Sequence, residues 1–168
     1  IKSLILDGSN DDLKLTSGAG LSVFKNKGYG TIIAAVKATA GAANRFAFFA
    51  SIGTSNAASR IAASKTTTDV ANATGRRLDA DGAGSKASTN TIAGAWHVLT
   101  VECDWVNTVL SIQIDLNSPE TSSPSWGAGS ATSNTDSLAM AIGSTNTANY
   151  FLGNIGRIAA VPRQLTSN

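Results

Sequence analysis

The chain has little of what most protein chemistry relies on. It carries one cysteine and one histidine in 168 residues. Cys103 therefore has no internal disulfide partner, and a zinc site built from several His and Cys ligands is excluded. Charged residues make up only 14%, and the net charge is +2. The basic residues are scattered, with Arg76-Arg77 the only adjacent pair, so there is no basic stripe of the kind that binds nucleic acid. No apolar run approaches the roughly 20 residues of a membrane-spanning helix, so membrane insertion is not expected. Gly-x-Ser-x-Gly is absent, which removes a serine-hydrolase elbow. No recognisable leader precedes the opening Ile1, and the chain is expected to be a mature product or an excised domain.

Gly, Ser, Thr, Asn and Ala take the place of the missing charges, while hydrophobic residues make up 42%. Small polar residues and β-branched Thr favour turns and strands over exposed helices. Apolar clusters recur throughout, so the chain is long enough and apolar enough to fold as one domain, residues 1 to 168, around a real core.

Alternation is clearest in "HVLTVECDWVNTVLSIQID", residues 97 to 115. Leu99, Val101, Cys103 and Trp105 share one face of the first half; Leu110, Ile112 and Ile114 share one face of the second. The spacing predicts two adjacent antiparallel strands. "GTIIAAVK" (30 to 37) is apolar on both faces, as a central strand covered twice would be. "RFAFFASIG" (45 to 53) sets Phe46, Phe48, Ala50 and Ile52 on one face. Further strands are predicted at 137 to 143 and 152 to 161, with weaker ones at 2 to 6, 12 to 16, 59 to 64 and 76 to 80. Residues 63 to 75 and 117 to 135 read as long loops. Many short strands separated by glycine turns predict an all-β sandwich or barrel.

Three stretches together resemble laminin G-like domains. "LDGSNDDLKL" (6 to 15) is similar to that family's opening strand and turn. "AGAWHVLTVECDWVNTVLSIQIDL" (93 to 116) resembles its central hairpin, where a Trp-His pair leads into a strand. "SLAMAIGSTNTANYFLGNIGRIAAVPRQLT" (137 to 166) resembles its closing segment. The resemblance implies a concanavalin A-like jelly roll, two antiparallel sheets packed face to face. Members of that broad group include lectin domains, carbohydrate-binding modules, adhesion domains, pentraxin-like proteins and some glycosidases and lyases. Domains of this type also decorate phage tails and capsids.

Catalysis finds weak support. Laminarinase-type glucanases of this fold carry Glu-x-Asp-x-x-Glu on a strand; "VECDWVN" supplies Glu102 and Asp104 but ends in Asn107, which cannot act as an acid. Lyases of this fold use Gln-Ile-His, and here Asp115 follows Gln113-Ile114. His97 is read as structural and Trp96 as core. No catalytic residue is assigned.

Sugar binding needs an aromatic platform and planar polar groups. Trp126 in "SPSWGAG" and Tyr150 in "STNTANYF" lie in loops, where they either present such a platform or fold back as lids. Trp105 sits beside the hairpin turn, and Asn146 and Asn149 offer amides for a hydroxyl pair. Calcium is the other usual ligand of this fold, and "DGSNDD" offers Asp7, Asp11 and Asp12. The EF-hand spacing fails, and Gly156-Arg157 stand where the family often places an acid. A site there is a secondary expectation beside a plain turn set by Asp7-Gly8.

The sequence thus points first to a non-catalytic carbohydrate-recognition or attachment domain of an extracellular or virion protein, such as a phage tail, fibre or capsid component. Its partner would be a cell-surface or extracellular polysaccharide, with weak single sites strengthened by copy number in a homo-oligomer or larger parent protein. The alternative is a structural or protein-binding adhesion module. A glycoside hydrolase with an unusual acid/base is the third reading.

Overall fold

The computed structural model describes residues 2–52, 59–126, 137–145 and 148–165. In chain order the strands are β1 (Leu4–Asp7), β2 (Leu13–Leu15), β3 (Tyr29–Ala38), β4 (Arg45–Ser51), β5 (Ser59–Lys65), β6 (Val70–Gly75), β7 (Gly84–Thr91), β8 (His97–Asp104), β9 (Val109–Ile114), β10 (Glu120–Ser122), β11 (Ala139–Ile142) and β12 (Leu152–Val161). They form two six-stranded antiparallel sheets. The front sheet has the order β1-β12-β3-β8-β9-β10 and the back sheet β2-β11-β4-β5-β6-β7. A single helical turn, Ala19–Ser22, precedes β3. The all-β sandwich is the architecture that the alternating pattern predicts. No helix among the described residues is long and apolar enough to cross a membrane.

The hairpin at 97 to 115 forms as expected. β8 and β9 pair from Leu99↔Ile114 to Asp104↔Val109. Leu99, Val101, Cys103, Leu110 and Ile112 enter the core, and their alternates face outward. Burial of Cys103 pushes its thiol far above its ordinary pKa, so it is an inert core residue.

β3 is central, between β12 and β8, but it is not covered on both faces. Ile32, Ala34, Val36 and Ala38 are buried, whereas Ile33 and Ala35 are half-buried and Lys37 is exposed. Periodicity could not separate a twice-covered strand from one whose outward residues are merely apolar. In β4 an irregularity between Phe46 and Phe48 breaks the expected common face. Phe48 and Ala50 join the core, while Phe46 turns to Phe49, edge to face at 5.6 Å.

Two segments read as loops contain strands. Residues 63 to 75 carry the end of β5 and all of β6, joined by a turn in which Asp69 accepts from Lys65 and the Gly41 amide. The inward residues of β6 are Ala71 and Ala73, too small to give a hydrophobic signal. Residues 117 to 135 carry β10, and 127 to 135 lie outside the described residues. The strand expected at 76 to 80 is instead a turn, closed by the Leu78 amide donating to the Asp81 carboxylate at 2.8 Å. β7, "GSKASTNT", lacks bulky residues and so carries no strand signal in the sequence. Glu120 of β10 ties β7 to the front sheet: it accepts from the Thr89 amide at 2.8 Å and meets Lys86 at 3.2 Å.

Candidate functional site: the open face of the front sheet

Strand register places Thr31, Glu102, Ser111 and Thr121 in one row across β3, β8, β9 and β10. The neighbouring row holds Ile33, Thr100 and Gln113. Their alternates fill the core, so these side chains point to the outer surface. Over them lies a groove of about 560 Å³, walled on one side by Gln164 and Leu165 as the chain returns after β12. Hydroxyl, amide and carboxylate groups are therefore set on rigid strands rather than on loops.

Glu102 stands at the centre. It accepts from the Leu165 amide at 3.2 Å, and its Oε2 lies 3.5 Å from the Thr31 hydroxyl. Thr31 donates to the Arg163 carbonyl at 2.6 Å, which fixes the returning chain against β3. Burial raises the Glu102 pKa above the usual carboxylate value; the neighbouring Asp104 adds to this, and hydrogen bonds from Leu165, Thr31 and Gln164 oppose it. Gln113 is oriented by donating to the Asn117 carbonyl at 2.7 Å.

Asp104 does not act as a second reactive carboxylate beside Glu102. Its two oxygens accept from the Asn107 amide at 2.9 Å and the Asn107 side chain at 2.8 Å, closing the β8–β9 turn. His97 has a structural partnership, as expected: Nδ1 lies 2.9 Å from Asp115, which also accepts from the Val98 amide at 2.9 Å. These two bonds, the amide first, hold the Asp115 pKa below the usual value.

The aromatic residues are arranged differently from the sequence expectation. Trp105 is fully buried. Its ring packs edge-on to Phe24 at 6.0 Å, its Nε1 donates to the Arg76 carbonyl at 3.0 Å, and it fills the space that a Cβ at Gly30 would need. Trp126 is only 6% exposed and belongs to the core. Neither ring offers a face to a sugar. Both belong to the core cluster. Conversely Trp96, expected in the core, is 41% exposed and lies on the same outer face. Its position just before β8 was the available clue, since an outward Val98 follows it two residues later.

Tyr150 and Asn149 are half-buried in the turn before β12, where the Tyr150 carbonyl accepts from Arg45 and the Asn149 carbonyl from the Phe46 amide. They are not among the residues lining the groove. Asn146 lies outside the described residues. The three aspartates considered for calcium do not converge. Asp7 accepts from the Ser9 amide, Asp11 from the Asp7 amide, and Asp12 from Ser144 and Lys14. Among the described residues no group of three His, Cys, Asp or Glu side chains is placed to hold a metal ion. The opening stretch is a turn whose carboxylates cap neighbouring donors.

No protein-family model matches the chain, and no curated protein is similar enough in sequence to count as a relative. Solved structures do resemble it. The CBM40 domain of the Ruminococcus gnavus IT-sialidase, bound to alpha2,3 sialyllactose, superposes with a TM-score of 0.75 at 16% identity, covering 99% of this chain and 92% of that one. The leech intramolecular trans-sialidase, complexed with 2,7-anhydro-Neu5Ac, gives 0.74 at 16% identity over 98% of this chain but only 25% of its own. Domains LG4-5 of the mouse laminin alpha1 chain give 0.61 at 14% identity, covering 96% and 42%. At these identities the likeness is one of fold, and it agrees with the strand order and the buried faces: this chain has the concanavalin A-like jelly-roll fold that CBM40 and laminin G domains share.

Proposed function

We propose that this protein is a non-catalytic carbohydrate-recognition domain that binds glycan on the outer face of its front sheet. The observation that carries the reading is the groove over β8, β9 and β10, where Thr100, Glu102, Ser111, Gln113 and Thr121 converge on one rigid surface. Sugar hydroxyls both donate and accept, and a mixed row of hydroxyls, an amide and a carboxylate matches that pattern. The fold likeness to a CBM40 domain bound to sialyllactose supports the same reading. Against hydrolysis, Glu102 has no free carboxylate partner, because Asp104 is held by Asn107 in the hairpin turn. The charge-poor composition, rich in Gly, Ser, Thr and Asn, suits attachment work at a cell or virion surface, where several copies would strengthen a weak site.

A glycan array followed by affinity electrophoresis tests this. Gln113→Ala should lower affinity about tenfold, the loss of one or two hydrogen bonds to a bound hydroxyl. Binding unchanged in Gln113→Ala and in Ser111→Val would place the ligand elsewhere. Tyr150→Ala in the same assay measures what the turn carrying Tyr150 and Asn149 contributes; unchanged affinity assigns that turn to structure alone.

A second reading, a protein-binding or self-associating module, is favoured by exposed apolar residues on two edge strands. Leu13 on the edge strand β2 is 56% exposed and, with Leu15, Met140 and Ile142, lines an apolar cleft. Ile5 on the edge strand β1 is 74% exposed. Sedimentation of the native chain beside Leu13→Lys separates the readings: a dimer lost in the variant supports assembly, and a monomer in both supports glycan binding alone.

A further inference from the structure

The groove accounts for only one half of the front sheet's outer face. Across the other half, over β3 and β12, a second cleft of about 670 Å³ is lined by Lys2, Ala35, Trp96, Gly156 and Arg157. Its make-up is different. The groove over β8 to β10 holds two acids, Glu102 and Asp104, and no aromatic ring or cation. The cleft holds an exposed indole and two cations, with no acidic residue in its lining.

Three features make the cleft more than a surface irregularity. First, Trp96 lies against the sheet: a Cβ at Gly156 would sit in ordinary contact with the indole at 3.4 Å and with Ala35 at 3.6 Å, so small residues form the floor beside the ring. Second, β12 changes register between Ile155 and Ile158, which sets Gly156 and Arg157 in the irregular segment beside that ring. A bulge of this kind redirects a side chain out of the regular alternation. Third, Arg157 is exposed, and no acid among the described residues pairs with it or with Lys2. The acids elsewhere on the molecule have partners of their own: Glu120 with Lys86, Asp115 with His97 and Asp69 with Lys65.

We infer that the Trp96–Arg157–Lys2 cleft is a subsite for a carboxylate-bearing sugar residue. The ring's apolar surface matches the C–H face of a pyranose, and the guanidinium matches a planar carboxylate two-pronged, with Lys2 adding charge. A carboxylate supplies a counter-charge to these two cations that a neutral sugar lacks. The inference rests on the carbohydrate-binding reading and deepens it: the polar groove takes neutral hydroxyls, and the cleft selects the acidic residue of the same chain.

The test compares paired probes that differ only in charge or in the acidic residue. Sialyllactose is measured against lactose, and oligogalacturonate against its methyl ester, by calorimetric titration of the native chain. The expected result is preference for the acid in at least one pair. Arg157→Ala should remove about tenfold of the acid's affinity and leave the neutral member's unchanged, and the preference should shrink as salt rises. Trp96→Ala should weaken both members of that pair, and Trp96→Phe should restore most of the loss. Circular dichroism confirms that each variant is folded. No preference for either acid overturns the inference. So does a preference that survives Arg157→Ala, or a stronger response to a sulfated glycan than to either carboxylate. Neutral glycan binding that is lost in Gln113→Ala would leave the carbohydrate-binding reading standing even when the cleft fails.

Discussion

The outer faces of the two sheets are built on the same pleated frame and have opposite fates. On the back sheet, register aligns Ala141, Phe49 and Ala62 across β11, β4 and β5, and none is more than 1% exposed. Beside them Arg60 is fully buried and donates to the Arg77 carbonyl at 3.0 Å. On the front sheet the equivalent central row is Ile33, Thr100 and Gln113, all half-buried beside an open groove. Sheet geometry alone does not choose which face stays open. On one face a row of alanine and phenylalanine is closed off from solvent, with Phe46 packed edge-on over Phe49. On the other, side chains that carry hydrogen-bonding groups keep the face wet and usable.

The two faces should therefore respond to mutation in opposite ways. Phe49→Ala should cost about 3–5 kcal/mol of stability, measured by chemical denaturation, while leaving glycan affinity per folded molecule unchanged. Gln113→Ala should change stability by no more than about 0.5 kcal/mol, the usual range for a surface substitution, and yet weaken binding. A Phe49→Ala variant that loses affinity while folded would show that the faces are coupled.

Smaller effects follow from charge. Burial raises the pKa of Glu102, so the folded protein holds that proton more tightly than the unfolded chain does. Its contribution to stability is fully present below the ordinary glutamate pKa and is lost as pH rises through the raised value. Glu102→Gln should therefore raise the melting temperature at neutral pH relative to the native chain, with the gap closing in acid. Asp115 has the opposite sign. Its pKa is lowered, so its contribution is present above the ordinary aspartate value and is lost as pH falls through the lowered one. Asp115→Asn should make the melting temperature slightly less sensitive to acid, the smallest change of the four.

Much of the fold is legible because β8 and β9 alternate bulky and polar residues, and because glycine turns separate the apolar stretches. The strands without a sequence signal, β6, β7 and β10, hold one bulky apolar residue between them, Val70, and otherwise small or polar ones. β6 and β7 are held by register to β5 and by Glu120, a long-range partner that no local pattern announces. The site was harder to read. Trp105 and Trp126 looked like platforms because each sits beside a turn. Burial depends on what packs across the sandwich, such as Phe24 and the bare Gly30 against Trp105. Trp96 faces out with Val98, two residues on, and not into the core as its sequence suggests. The polar face of Thr100, Glu102, Ser111 and Gln113 is present in the alternation, but only the returning chain at Gln164 and Leu165, remote in sequence, gives it a wall.

The central claim is that glycan binds on the outer face of the front sheet. It is tested most directly by amide chemical-shift mapping of the labelled chain during titration with a glycan that binds on the array. The account predicts that the largest shifts cluster at residues 100 to 104, 109 to 113, 120 to 121 and 164 to 165. For an acidic glycan they should extend to Trp96 and Arg157. Shifts concentrated at Asn149 and Tyr150, or on β4 and β5 of the back sheet, would contradict it.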